Sequence, residues 1–402
     1  MNTVVGATVL MAVLVVVLTL STGTSQAVPD ISDISDFKSS SVNDMESTQD
    51  TDQENTDENT DEETENGDSQ GSIQEYETIG GGSPYIQKVE SEGGQTFCSS
   101  SSGDIVVQEG SLTGLKDALS MAGQDDVVYI PGDMTIDMEF NTQLQVPEGV
   151  TVASNRGCNG AEGALITTDM KQEDDWVGAD EIILSDNTRI TGLRLEGPYG
   201  ESDFFEFKDD YTNGIEAGGA SNVEIDNVEV YGYPNGIHGG DLHVHHSHIH
   251  HNSEEGLGYG ISSPKTGSLI EYNYMDYNRH HVAGSGDSDV GYIFRYNVIG
   301  SHGMIHSLDM HPPGGDTIRI HHNTIKFQGN ANVRIRGIPE NIAEIHHNWF
   351  YNDISPCTGE GHCAINQREV SEFTNLDFYE NHYGTSEPAC GIGAPREGCP
   401  PP

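Results

Sequence analysis

Residues 320–325 (Ile-His-His-Asn-Thr-Ile) recur as residues 345–350 (Ile-His-His-Asn-Trp-Phe), and this repetition decides the fold. Working outward, seven segments share one template: an apolar anchor, two polar or mixed residues, a recurring position, one further residue, then a second apolar residue. They begin at Ile225 (IDNVEV), Val244 (VHHSHI), Ile270 (IEYNYM), Phe294 (FRYNVI), Ile320, Ile345 and Phe378 (FYENHY), and ITGLRL at Ile190 is an eighth. Such short, β-rich copies are too brief for helical repeats; each reads as one rung of a coil of strands. The recurring position is Asn in the last five copies, Asn273, Asn297, Asn323, Asn348 and Asn381. Stacked at the strand spacing of about 4.8 Å, these side chains can form a hydrogen-bonded ladder at a turn.

Upstream, residues 112–122 (LTGLKDALSMA) read as a short amphipathic helix placed to cap the open end of the coil. DDVVYIPGDMTIDM and LQVPEGVTVASN follow as the first strands. The order of helix, VVYIPG, VPEGVTV and rungs ending in HHN resembles secreted right-handed β-helix proteins of the pectate-lyase superfamily, over roughly residues 110–385. The expectation is an all-β, single-stranded right-handed parallel β-helix with a short N-terminal capping helix. The fold hosts lyases, hydrolases, epimerases and adhesins, so the resemblance implies fold more narrowly than activity.

The rest of the chain divides by composition. Residues 3–20 are an apolar run ahead of the first basic residue, Lys38, and Ser25-Gln26-Ala27 follows as a small-residue cleavage pattern. Residues 1–27 are read as a signal peptide, with an uncleaved membrane anchor as the alternative. Residues 28–72 hold almost nothing apolar and are read as a disordered acidic spacer or stalk, leaving 73–402 as the β-helix domain. The formal net charge of −48 exceeds what the spacer supplies. Such a surface repels itself in dilute buffer but is screened at molar salt, where the Debye length is about 3 Å, and it resembles proteins of extreme halophiles. Cys98, Cys158, Cys357, Cys363, Cys390 and Cys399 are an even set in a chain read as exported, and spacing favours the pairs 98–158, 357–363 and 390–399.

Three successive rungs carry unusual segments: YNRHHVAGSG (277–286), SHGMIHSLDMH (301–311) and NVRIRG (332–337). Alternation that buries Val282, Leu308, Met310, Val333 and Ile335 turns Arg279, His281, Asp309, His311, Arg334 and Arg336 outward. Five of the ten arginines lie between Arg279 and Arg336, on an otherwise acidic chain, which points to an anionic ligand such as a uronate polysaccharide. Lyase chemistry needs carboxylate neutralisation, a base and a proton donor. Arg334 and Arg336 are assigned to neutralisation, His281 or His311 to the base, Asp309 to orienting a histidine, and Arg279, His280 and His306 to substrate contact.

Pectate lyases carry R-x-P-x-x-R-x-G, whose first Arg and Pro are missing from GNANVRIRGIP, and their calcium-binding carboxylate cluster has no matching position here. No cofactor is assigned on this reading. A divalent metal such as calcium stays open, with His281, Asp309 and His311 as the alternative ligand set. The tract HVHHSHIHHN, with His243, His245, His246, His248, His250 and His251, is read as polar strand filler, and Glu254 and Glu255 as a solvated turn. A glycoside hydrolase using Asp309 with Glu254, Glu255 or Asp287 is one alternative, and a non-catalytic surface adhesin is another. The expected partner is an acidic polysaccharide, with no nucleic acid, a membrane only through an uncleaved anchor, and a monomeric chain.

Overall fold

The computed structural model describes residues 73–138, 143–169, 180–202, 212–254 and 258–401. The expected leader (1–27), the acidic spacer (28–72) and Glu255 lie outside the described residues. The rungs build a right-handed parallel β-helix of three sheets, with 11, 10 and 10 strands. The first sheet runs from Ile105–Val106 to Leu376–Tyr379, the second from Thr135–Asp137 to His382–Tyr383, and the third from Leu144–Val146 to Cys363–Arg368, with the short strand Cys357–Thr358 at its edge.

The anchors fix this stacking. Ile190, Ile225, Val244, Ile270, Phe294, Ile320 and Ile345 lie in register from strand to strand of the first sheet and are fully buried. Fully burying one such side chain contributes about 1.5–3 kcal/mol. A slip of one residue would turn the whole column to solvent, so this single row enforces register. Phe378, the last anchor, continues the column opposite Ile345 at the partly buried C-terminal end.

The Asn ladder stands beside the anchors, at the corner between the first and second sheets. The Oδ1 atoms of Asn297, Asn323, Asn348 and Asn381 accept from the backbone N–H of Asn273, Asn297, Asn323 and Asn348, at 2.9, 2.9, 3.1 and 3.0 Å. Ser247 joins the column through its N–H to Asn273 Oδ1 at 2.9 Å. The template position just before the ladder carries a feature the sequence reading did not foresee. Asn227, His246, Tyr272, Tyr296, His322, His347 and Glu380 all hold φ between +48° and +56°. A left-handed non-glycine residue costs roughly 1–2 kcal/mol. The side chains return part of that by stacking along the corner: His246 on Tyr272 at 4.9 Å, Tyr272 on Tyr296 at 5.2 Å, and His322 on His347 at 4.9 Å.

Helix Leu112–Met121 is capped by Ser111, whose Oγ accepts from Gly114 N–H at 3.1 Å, and Leu112, Leu115, Ala118 and Leu119 enter the same core as the anchors. A second helix, Ser83–Ser91, was not legible in the sequence. It straps the outside of the coil: Gly80 N–H donates to the Tyr272 carbonyl at 2.9 Å, and Tyr85 stacks on His246 at 4.3 Å. The Tyr85 hydroxyl donates to Asp226 at 3.1 Å, a fully buried carboxylate also held by Arg189 at 2.7 Å. The disulfides are Cys98–Cys158, Cys357–Cys363 and Cys390–Cys399, as spacing suggested.

Candidate functional site

The outer face of the third sheet gathers most of the residues singled out from the sequence. Strands His280–Gly284, His306–Met310, Ala331–Arg336 and Cys363–Arg368 are successive neighbours. Val282, Leu308, Val333 and Ile365 form one inward row, and Ala283, Asp309, Arg334 and Asn366 form the outward row next to it. Differences in loop length therefore do not displace these rungs laterally.

Asp309 is the centre of the face. It has no exposed surface, yet two cationic or potentially cationic groups hold it. Arg336 donates to both oxygens, Nε to Oδ1 at 3.2 Å and Nη2 to Oδ2 at 2.7 Å, and His311 Nε2 lies 3.2 Å from Oδ2. His280 Nε2 stands 3.8 Å from the same oxygen. Burial alone would raise the Asp309 pKa, but the hydrogen bond from His311 and the charge of Arg336 outweigh it and hold the carboxyl well below the usual carboxylate range. Asp309 is therefore held as an anion at neutral pH, suited to orienting partners and unsuited to donating a proton.

His280 and His306 are kept neutral on this face. Burial pushes His280 well below its ordinary value. It brings His306 down to about 3, where Asp309 opposes the shift and Arg334, Arg336 and Arg279 reinforce it. The rings of Tyr259, His280 and His306 stack in a column, with neighbouring centroids 5.6 and 5.3 Å apart. The Arg279 guanidinium lies 6.0 Å over the Tyr259 ring.

Arg334 sits in register with Asp309, is 7% exposed, and donates through Nη2 to the Gly361 carbonyl at 3.5 Å, while its Nε has no hydrogen-bond partner among the described residues. A buried guanidinium with an unused donor is chemically suited to receive a carboxylate. Arg368, in register with Arg336 and paired with Glu360 at 2.8 Å, completes a set of four arginines. Sequence reasoning missed it because its rung (AINQR) follows the Cys357–Cys363 loop and lacks the HHN ending. Arg295 and Arg319, counted with the cluster in the sequence, belong to the first sheet, where they pair with Glu271 at 2.7 Å and Glu344 at 2.8 Å.

His281 is not brought to this face. Its predecessor in register is Gly260, where an added Cβ would approach Ile249 Cγ2 and Asn278 Nδ2 at 3.2 Å, so the row points inward. His281 is fully buried, accepts from Asn278 Nδ2 at 3.0 Å, and burial lowers its pKa to about 4. Two consecutive inward residues, His281 and Val282, show that the strand bends as it leaves the corner. Simple alternation read back from Val282 therefore assigns the wrong face, and His280 takes the outward place. His281, Asp309 and His311 accordingly do not form a ligand group. Glu254, expected in a solvated turn, is 1% exposed.

Among the described residues, two groups have three ligand atoms within 4.8 Å of one another: Glu224 with His243 and His245, and Glu229 with His248 and His250. Both belong to the histidine tract read as strand filler. A cavity of about 270 Å³, lined by Ser253, Tyr277, Ser301, His302, Gly303 and Met304, lies where the chain leads into His306.

No protein-family model matches the chain, and no curated protein matches it in sequence. Among solved structures, the chain is similar to the alginate lyase from Paenibacillus sp. str. FPU-7, at 18% identity and a TM-score of 0.47, over 70% of this chain and 99% of that one.

Proposed function

We propose that the protein is a polysaccharide lyase that cleaves a uronate-containing glycan by β-elimination on the outer face of the third sheet, as a member of the pectate-lyase superfamily. The observation that carries this reading is a patch of four arginines and three histidines built around one buried, ionised Asp309, on a chain of net charge −48. An acidic glycan is the ligand class such a patch attracts, at the short range where salt leaves attraction intact.

In the proposed reaction Arg334 neutralises the uronate carboxylate, which acidifies the adjacent C–H. His311 is the base: with its Nε2–H donated to Asp309, its Nδ1 lone pair is free to take that proton. The electron pair forms the new carbon–carbon double bond as the glycosidic C–O bond breaks. Tyr259, which burial keeps protonated at neutral pH, supplies the proton for the leaving oxygen. Arg279, His280 and His306 line the substrate's path. Hydrolysis by paired carboxylates needs one acid kept protonated, and Asp309 is held in the opposite state.

The test is the ultraviolet absorbance of the unsaturated product when the full chain meets polymers of galacturonate, mannuronate or guluronate in molar salt. The expected result is rising absorbance, with His311→Ala lowering the rate by about 10²-fold or more. Reducing ends without that absorbance would replace the reading by hydrolysis, and binding without either by a surface adhesin. Disulfides form and persist in oxidising compartments, and the three here support export of the chain.

A further inference from the structure

The second sheet carries a different chemistry. Glu229, in strand Glu229–Tyr231, pairs in register with His248, and Tyr231 with His250, so Glu229, His248 and His250 share the outer face of two successive rungs. His248 Nδ1 and His250 Nε2 converge on the same atom, Glu229 Oε1, at 3.3 Å each. Ligands about 2.0–2.1 Å from a tetrahedral zinc ion stand about 3.3 Å from one another. Two of the three edges therefore already match those of such a site, and all three ligand atoms lie within 4.8 Å of one another.

We propose that Glu229, His248 and His250 bind a divalent transition-metal ion of the zinc type, with the fourth position left to water. Two imidazoles and one carboxylate favour such an ion over calcium, which takes six to eight oxygens. The supporting shell is in place. Tyr231 stacks on His250 at 4.9 Å and fixes its ring. His250 Nδ1 lies 2.6 Å from His251 Nδ1, so a proton on His250 Nδ1 leaves the Nε2 lone pair aimed at the ion. His250 is 4% exposed, whereas His248 and Glu229 are about a quarter exposed, which gives the site one open edge. Arg194, in register with Glu229 on the preceding rung, is turned to Glu162 at 3.1 Å.

The matching group on the first sheet is poorer. Glu224 has Arg189 Nε 3.6 Å away, and His243 is turned to Glu271 at 3.1 Å, so an arriving cation meets an existing one. Both groups sit on rung 242–251, one on each side of the His246 corner, and an ion in the better one ties that rung to the rung before it.

The test is titration of the metal-free full chain with Co²⁺ and Zn²⁺. One equivalent of Co²⁺ is expected to give the intense visible absorbance of a four-coordinate site and to be displaced by Zn²⁺. Glu229→Gln and His248→Asn are each expected to weaken binding by at least about 10-fold, while His243→Asn leaves it unchanged. His248 is partly exposed, so His248→Asn gives a folded comparison even where Glu229→Gln does not. Absence of the four-coordinate absorbance, including weak octahedral binding by carboxylates elsewhere in the chain, would overturn the proposal. So would a loss that follows His243→Asn in place of His248→Asn.

Discussion

Arg336→Met is expected to lower the stability of the β-helix by about 3 kcal/mol. Breaking a buried ion pair by removing one partner costs about 3–5 kcal/mol, because the remaining charge is stranded in a medium that cannot solvate it. Here the stranded charge is Asp309, with no exposed surface, and the lost partner is bidentate. The lower end of the range applies because Arg336 is 24% exposed and His311 remains beside the carboxylate. Chemical denaturation at fixed salt measures it, and a loss under about 1 kcal/mol would mean that water or His311 replaces the guanidinium.

The same pair sets a pH dependence with a definite sign. The folded-state pKa of Asp309 lies below its unfolded value of about 3.9, so the unfolded chain binds the proton more readily. The stabilisation is fully present above the unfolded pKa and is lost as pH falls through the folded one. Acid should therefore destabilise the protein, and this part of the slope should shrink in Arg336→Met. The double variant Asp309→Asn with Arg336→Met should recover part of the loss, because it strands no charge.

Asn323→Ala should cost a comparable 3 kcal/mol or more, although no charge is involved. Asn323 Oδ1 accepts from both Asn297 N–H and Asn297 Nδ2, and the two N–H bonds of its Nδ2 are shared among the Phe294 carbonyl at 2.8 Å, the His321 carbonyl at 3.0 Å and Asn348 Oδ1 at 3.0 Å. Truncation leaves several of these mostly buried groups without partners, at about 1–3 kcal/mol each before relaxation. In a solenoid each rung leans on its neighbours, so the loss should lower the denaturation midpoint of the central rungs and not only fray an end. A change within about 0.5 kcal/mol would show that the apolar anchors hold the register without the ladder.

The coil was legible because both of its devices repeat in the sequence. An aliphatic or aromatic anchor and an Asn three residues later need only counting, and the same count located Asp309 and Arg336 on adjacent strands. What the sequence hid depends on exceptions to that count. The left-handed position accepts Asn, His, Tyr and Glu alike, so no single residue type marks it. His281 faces inward because the strand bends one residue before alternation begins. The strap at Ser83–Ser91 has no repeat to align with, and its attachments to Tyr272, His246 and Asp226 are tertiary. The two Glu–His groups draw their ligands from different rungs, and rung 242–251 follows its predecessor after only 19 residues, so the pairing of Glu229 with His248 appears once strand register is known.

The central claim is that this face breaks its glycan by elimination, and the most direct measurement is mass spectrometry of oligosaccharides released in water enriched with heavy oxygen. The account predicts unsaturated non-reducing ends, one water lighter than saturated fragments, and no heavy oxygen fixed at the newly broken bond, both lost together in His311→Ala. Saturated fragments carrying one solvent oxygen per cleavage would contradict it.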